Sequence, residues 1–236
     1  MYWIVVISAV AVAAVGFMVW ASADVGSNIY VKSLCRGASD ERVAALTFDD
    51  GPDAEITPEV LAVLRRYGIR TTFFLVGEKV DKHPEIVRQI VAEGHTVANH
   101  TYTHSGLFPL RNARRVRQEL LLCNEAIRRA VGLSPLLFRP PFGVTNPIIG
   151  RAVEALGLKT IGWSIRTLDT IEGRSVATIC RKVESQLRPG AIILLHDRCA
   201  RSAVLLDSVI RIATERGYRF VALDEMLKIE DIYENC

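Results

Sequence analysis

The feature that most limits what this chain can fold into is an alternation of short, almost wholly apolar strands with amphipathic helical segments, repeated about seven times from Val43 onward. Val43 to Phe48 reads as a buried strand ending at the turn Asp49-Asp50-Gly51-Pro52. Thr57-Pro58 then opens a helix with a capping hydroxyl and a proline at its first position, and Gly68 closes it. The pattern continues with a strand Thr71 to Val76, a helix from about Pro84 to Glu93, a strand Thr96 to Asn99, a helix Ala113 to Val131, a strand Leu136 to Phe138 and a helix around Pro147 to Leu156. A strand Lys159 to Ile165, a helix capped by Ser175, a strand Ala191 to Leu195, a helix Ala203 to Arg216, a strand Tyr218 to Ala222 and a short helix from Asp224 complete it. Continuous apolar strands separated by helices predict an α/β fold with a parallel sheet covered by helices, as a barrel or a doubly wound sheet. Both architectures place their chemistry at the carboxyl ends of the strands.

Upstream of this unit, Tyr2 to Ala23 is an uncharged apolar run of 22 residues, long enough to cross a bilayer core of roughly 30 Å as a helix. Ala21-Ser22-Ala23 resembles a small-residue cleavage site, but the run exceeds a signal-peptide core of roughly 7–15 residues. Residues 1–23 are therefore expected to form an uncleaved membrane anchor, with secretion the outcome if the chain is cut after Ala23. Lys32 and Arg36 follow the run, so the distribution of positive charge does not support export, and the orientation must come from function. Residues 24–40 are expected to be a linker and residues 41–236 one domain. The 213 residues beyond Ala23 suffice for a single core. The net charge of +3 is spread along the chain, with clusters only at Arg111 to Arg117 and Arg128-Arg129. Both clusters fall in helical patterns and read as solvated faces, which argues against a nucleic-acid partner. Five widely spaced cysteines without a C-x-x-C pair argue against a zinc-thiolate or thioredoxin-like site; the odd count leaves at least one thiol free, with room for one or two disulfides whose pairs the sequence does not choose. Nothing in the chain identifies a protein partner.

Polar residues collect at the strand ends. Asp49 and Asp50 are adjacent carboxylates after the first strand, which repel one another unless a cation or an arginine neutralises them. Asp-Gly-Pro is also ordinary turn chemistry. His100 and His104, in His-Thr-Tyr-Thr-His, have metal-ligand spacing, expected to come from one helical turn. With Asp50 they make one carboxylate and two imidazoles, the composition of a catalytic divalent-metal site with a position left for water. His95 reads as structural, and His83 as an exposed residue at a helix start. Arg139, in Phe-Arg-Pro-Pro-Phe-Gly, ends another strand and can neutralise the acidic pair. His196, in Leu-Leu-His-Asp, leaves an apolar strand where its protonation can change near neutral pH.

Over about residues 41 to 225 these residues resemble the polysaccharide deacetylase family, the NodB-like or carbohydrate esterase family four domain. The resemblance rests on TFDDGP at 47–52, HTYTH at 100–104, RPPFG at 139–143 and LLHD at 194–197, in the family's order. It implies a distorted (β/α) barrel with fewer than eight regular strands. It also implies that Asp50, His100 and His104 bind a divalent metal, zinc before cobalt, nickel or manganese. Asp49 would be the general base held by Arg139, and His196 the general acid tuned by Asp169. Phe142, through its backbone N–H, and Trp163 would face the oxyanion and substrate. The fourth motif departs from the family pattern: Arg166 stands where an Asp is common and Thr170 where a Trp is common. The implied activity is hydrolysis of N-acetyl groups on a glycan of the peptidoglycan or chitin kind, by a domain anchored in the membrane and facing away from the cytoplasm. Two rivals are an amide or imide hydrolase of the same fold acting on small molecules, which would gain nothing from an anchor, and an inactive glycan-binding protein, which would be expected to have lost Asp49 or a ligand.

Overall fold

In the computed structural model, which describes residues 2–234, nine parallel strands form one sheet wrapped by helices. The elements, in order, are α1 (Tyr2–Ala23), β1 (Ser33–Leu34), β2 (Val43–Gly51), α2 (Ile56–Tyr67), β3 (Thr72–Leu75), α3 (Gly77–Lys82), α4 (Pro84–Ala92), β4 (Thr96–Asn99), α5 (Ala113–Val131), β5 (Leu137–Phe138) and α6 (Pro147–Ala155). There follow β6 (Lys159–Ile161), β7 (Ile165–Arg166), α7 (Val176–Gln186), β8 (Ala191–His196), α8 (Ser202–Glu215), β9 (Arg219–Phe220) and α9 (Leu223–Leu227). The strand order is β1-β6-β5-β4-β3-β2-β8-β7, with β9 added beside the start of β2. The parallel sheet covered by helices is what the apolar alternation predicted, and of its two possible forms the chain adopts the incomplete barrel that the family resemblance implied.

The two-residue period of β2 sorts its side chains into two cores. Ala44, Leu46 and Phe48 join the layer between sheet and helices. Val43 and Ala45 point into the barrel, where they pack with Phe74, Ala98, Leu137, Ile161 and Ile192. Continuing that parity puts Thr47 and Asp49 on the inner face, and from Leu137 it carries Arg139 there as well. Register then sets the height of the site. Asp49 pairs with Phe74 and His196, while Asn99 pairs with Leu75 and Phe138. Asp49, His100, Arg139 and His196 therefore emerge at one level of the carboxyl edge.

Several local expectations are corrected. Helix α2 begins at Ile56 rather than Thr57, after a turn in which Asp53 Oδ1 accepts from the amides of Glu55 and Ile56. The Thr57 hydroxyl instead donates to Asp197 Oδ2. The single strand expected over Lys159 to Ile165 is split into β6 and β7 by Gly162, Trp163 and Ser164. Residues 24–40 are not a free linker: β1 pairs with β6, and Val25, Val31 and Ser33 are buried. Cys35, Cys123, Cys180 and Cys199 carry free thiols, and Cys236 lies outside the described residues.

Candidate active site

At the carboxyl edge of the sheet a cleft is lined by Asp49, Asp50, His100, His104, Phe142, Trp163 and His196, together with Arg166, Leu168, Thr170, Leu194 and Arg198. Seven of the nine residues singled out in the sequence therefore share one cavity, and Arg139 and Asp169 support it from below.

The metal-ligand candidates meet around Asp50. One ligand atom from each of Asp50, His100 and His104 lies within 4.8 Å of the others. Asp50 Oδ1 is 3.5 Å from His100 Nε2 and 3.2 Å from His104 Nε2. His100 Nδ1–H donates to the carbonyl of Arg139 at 2.8 Å, which fixes the ring and turns Nε2 toward the cleft. The imidazoles do not come together on a helix, as their spacing suggested. Residues 100–104 form an irregular turn in which Thr101 and His104 adopt φ of +67° and +49°. Asn99 Oδ1 accepts from the Thr101 amide, and the buried Glu119 carboxylate accepts from the Thr103 amide and hydroxyl. The ring centroids end 4.7 Å apart. Burial would raise the Asp50 carboxyl, but the hydrogen bond and charge of His100, with His104 and His196, hold it well below the usual carboxylate range. Burial, reinforced by repulsion from His100, lowers His104 to about 4. Two imidazole nitrogens and a carboxylate are the donor set that a divalent ion of the zinc, cobalt, nickel or manganese kind accepts, so these residues fit a metal.

On one side of this trio Asp49, 3% exposed, is gripped by Arg139, which is 0% exposed. Arg139 Nη1 donates to Asp49 Oδ1 at 2.7 Å and to Thr47 Oγ1 at 2.9 Å, Nε donates to the Ile161 carbonyl and Nη2 to that of Gly162. The guanidinium lies over the Phe74 ring at 4.0 Å. Asp49 Oδ2 remains turned toward His100, 3.8 Å from its Nε2. On the other side His196 Nδ1 donates to Asp169 Oδ1 at 2.7 Å, and the His196 amide donates to Asp169 Oδ2 at 2.8 Å. Burial would lower the His196 imidazolium, but the hydrogen bond and charge of Asp169 prevail and raise it. The His196 Nε2 atom faces Asp50 Oδ2 at 3.9 Å.

Phe142 sits in a left-handed conformation, φ +61°, with its ring edge-on to His104 at 5.0 Å. Arg166 lies over Trp163 at 5.5 Å, so the departure in the fourth motif puts a cation on the cleft wall. His95 is structural, as expected: it is buried edge-on against Phe73. His83 is only half-buried and stands between α3 and α4.

Sequence reasoning missed Arg198, whose Nε forms an ion pair with Asp50 Oδ2 at 2.8 Å, and Lys79, whose Nζ donates to the Asp50 carbonyl at 2.7 Å. The only hint of Arg198 was its position directly after Leu-Leu-His-Asp at a strand exit. Glu119 was visible as a lone carboxylate on the apolar stripe of α5 that carries Val116, Leu120 and Cys123.

A family model described as polysaccharide deacetylase matches residues 36–161. The peptidoglycan-N-acetylglucosamine deacetylase PgdA of Listeria monocytogenes is 34% identical over 200 residues, which cover 85% of this chain and 42% of that protein. The chain thus spans less than half the length of that relative. A chitooligosaccharide deacetylase of Bradyrhizobium is 42% identical over 161 residues, covering 67% of this chain and 72% of the relative. Among solved structures, the Bc1960 peptidoglycan N-acetylglucosamine deacetylase superposes with a TM-score of 0.76 at 35% identity, covering 82% of this chain and 92% of that one. BA3943 of Bacillus anthracis, described as a CE4 family pseudoenzyme, superposes with a TM-score of 0.77 at 26% identity, covering 83% of this chain and 69% of that one. With its strand-end residues, its sheet and these likenesses in agreement, the chain belongs to the polysaccharide deacetylase family.

Proposed function

We propose that this protein is a metal-dependent N-deacetylase that removes acetyl groups from N-acetylglucosamine units of a peptidoglycan-like or chitin-like polymer. The observation that carries the reading is the pairing of two differently prepared groups across one ligand trio: Asp49 beside Arg139, and His196 beside Asp169. Asp50, His100 and His104 would hold the ion, which when bound supplies polarisation of the acetamide carbonyl and the acidity of an attacking water. Asp49 Oδ2 takes the proton of that water as the general base, while Oδ1 stays fixed by Arg139. The Phe142 amide N–H donates to the developing oxyanion, a contribution of about 3 kcal/mol to the barrier for such a donor. His196 Nε2 then gives its proton to the departing sugar nitrogen, and Asp169 keeps the ring oriented and cationic for that transfer. Trp163 and Arg166 flank the sugar.

Residues 2–23 act in this reading as a membrane anchor, and the catalytic domain faces the side on which envelope glycan lies. An inactive glycan-binding role is disfavoured because Asp49, Asp50, His100, His104 and His196 are all in place. The deciding experiment measures acetate released by the full chain from chito-oligosaccharides and from peptidoglycan, with and without a chelator, for wild type and Asp49→Asn. Metal-restored release that Asp49→Asn abolishes is expected. Chelator-insensitive release, or an unimpaired Asp49→Asn, refutes the mechanism, and bound metal without turnover favours the binding role.

A further inference from the structure

The segment joining α1 to the domain does not behave as a tether. Ala21 is 0% exposed and Val25 only 4%, although almost all the rest of α1 is bare. The Ser22 carbonyl accepts from the amide of Thr145, and the Ala21 carbonyl accepts from the Ser27 hydroxyl. Val15, Met18, Val19, Ser22 and Ala23 form a shallow apolar hollow with Val144. Val144 and Thr145 directly follow Phe142 and Gly143 of the cleft. A Cβ on Gly143 would meet the Trp163 ring at 2.6 Å and Val25 Cβ at 3.5 Å, and one on Gly162 would meet Val25 Cγ1 at 3.0 Å. Gly143 leaves room for the Trp163 ring and Gly162 for the Cys35 thiol and Val25, so Val25 packs close to the backbone that carries the cleft wall. The path from the last turn of α1 to the catalytic cleft is one of continuous packing.

The surroundings suit a lipid surface. Tyr2 and Trp3 mark one end of α1, and Phe17 and Trp20 pack together near the other, the distribution of aromatic side chains at the two faces of a bilayer. At about 1.5 Å per residue, the 22 residues of α1 extend about 33 Å, slightly more than a hydrocarbon core of about 30 Å. The turn Phe108–Leu110 is tied to the same loop, because Asn146 Nδ2 donates to the Pro109 carbonyl. It bares Leu107 and Leu110, 62% and 81% exposed, a few residues before the exposed Arg114 and Arg115. Apolar side chains beside cations are the composition that settles at an anionic interface.

We propose that α1 is retained uncut and rigidly docked, so that it holds the mouth of the cleft against the bilayer surface and directs the enzyme to glycan lying next to the membrane. This inference rests on the reading of α1 as a membrane span, and the test separates the two. Trp163 can be made the sole tryptophan of the full chain by Trp3→Phe and Trp20→Phe, since the chain contains three tryptophans. The protein is reconstituted in vesicles of phosphatidylcholine and phosphatidylglycerol with a nitroxide on the lipid headgroup. Co-flotation with the vesicles, an intact mass that includes residues 1–23, and loss of Trp163 emission are expected. A Gly-Ser spacer inserted between Ala23 and Asp24 should leave flotation unchanged and restore the emission. Failure to float overturns the span itself. Flotation with unquenched Trp163, or with quenching that survives the spacer, overturns the docking alone, and a mature chain beginning at Asp24 overturns retention.

Discussion

The Arg139–Asp49 pair makes the sharpest energetic prediction. Arg139→Met keeps a long unbranched side chain under Phe74 but removes every donor of the guanidinium. Asp49 is then a buried carboxylate without its 2.7 Å partner, and the carbonyls of Ile161 and Gly162 lose their donors. Breaking a buried ion pair from one side costs about 3–5 kcal/mol, because the remaining charge is left uncompensated. Each orphaned acceptor adds about 1 kcal/mol, offset in part because the burial cost of the guanidinium charge is no longer borne. A net loss of about 4 kcal/mol corresponds to a fall in Tm of about 8–16 °C for a domain of this size. The melt is followed by circular dichroism on the full chain in detergent, with chelator present so that metal linkage does not enter. Most of the loss belongs to the stranded charge, so Asp49→Asn in the Arg139→Met background should recover about 2 kcal/mol although each single variant is destabilised. A fall in Tm of less than about 3 °C for Arg139→Met would refute the reasoning, as would a double variant no more stable than Arg139→Met alone.

Two further outcomes follow from the geometry. Gly51→Ala places a Cβ 2.4 Å from Asp197 Oδ2, in a carboxylate that is 0% exposed and hydrogen-bonded to Thr57, so it cannot retreat cheaply. A loss of about 1–3 kcal/mol is expected in urea melts, and an unchanged midpoint would contradict it. Asp169→Asn removes the negative charge, and one of the two acceptor oxygens, that raise the His196 imidazolium against the opposing effect of burial. A group whose native pKa is raised stays protonated to higher pH, so removing the cause moves the alkaline limb of kcat/KM to lower pH. A limb that stays in place would show that His196 is not the proton donor.

What the sequence could reveal follows from how each element is stabilised. Strands β2 and β8 were legible because both faces are buried, which leaves nearly unbroken apolar runs such as Val43 to Phe48 and Ala191 to Leu195. Their polar exits, Asp49-Asp50 and His196, stood out against that background. β1 was not legible, since an edge strand of two residues pairing only with β6 needs no pattern of its own. The His100/His104 pair was recognised by spacing and misassigned in conformation. Four residues bring two rings together on a helix, but a turn with Thr101 and His104 in the left-handed region does so equally well, and nothing in the side chains of Thr or His announces it. Arg198 and Lys79 reach Asp50 from loops and helices distant in the chain, and only folding makes them neighbours.

The left-handed residues also indicate how the site keeps its shape. Of the seven non-glycine residues with positive φ among the described residues, Asp50, Thr101, His104, Phe142 and Leu168 lie in or beside the cleft. Such conformations cost on the order of 1 kcal/mol each and persist only where the surroundings over-determine them. Here they are over-determined at several points. Lys79 holds the Asp50 carbonyl, Asn99 holds the Thr101 amide, the Thr101 hydroxyl accepts from the His104 amide, and Glu119 clamps Thr103. A helix would have offered the two imidazoles at a fixed pitch with every backbone group spent on its own ladder. The strained turn instead lets His100 drop into the barrel to meet the Arg139 carbonyl while His104 stays at the mouth against Phe142. One ring is thereby committed to the buried Arg139–Asp49 side and the other to the open side of the cleft. In the proposed mechanism that division sets Asp49 deep in the barrel and leaves the His104 and Phe142 side open to substrate.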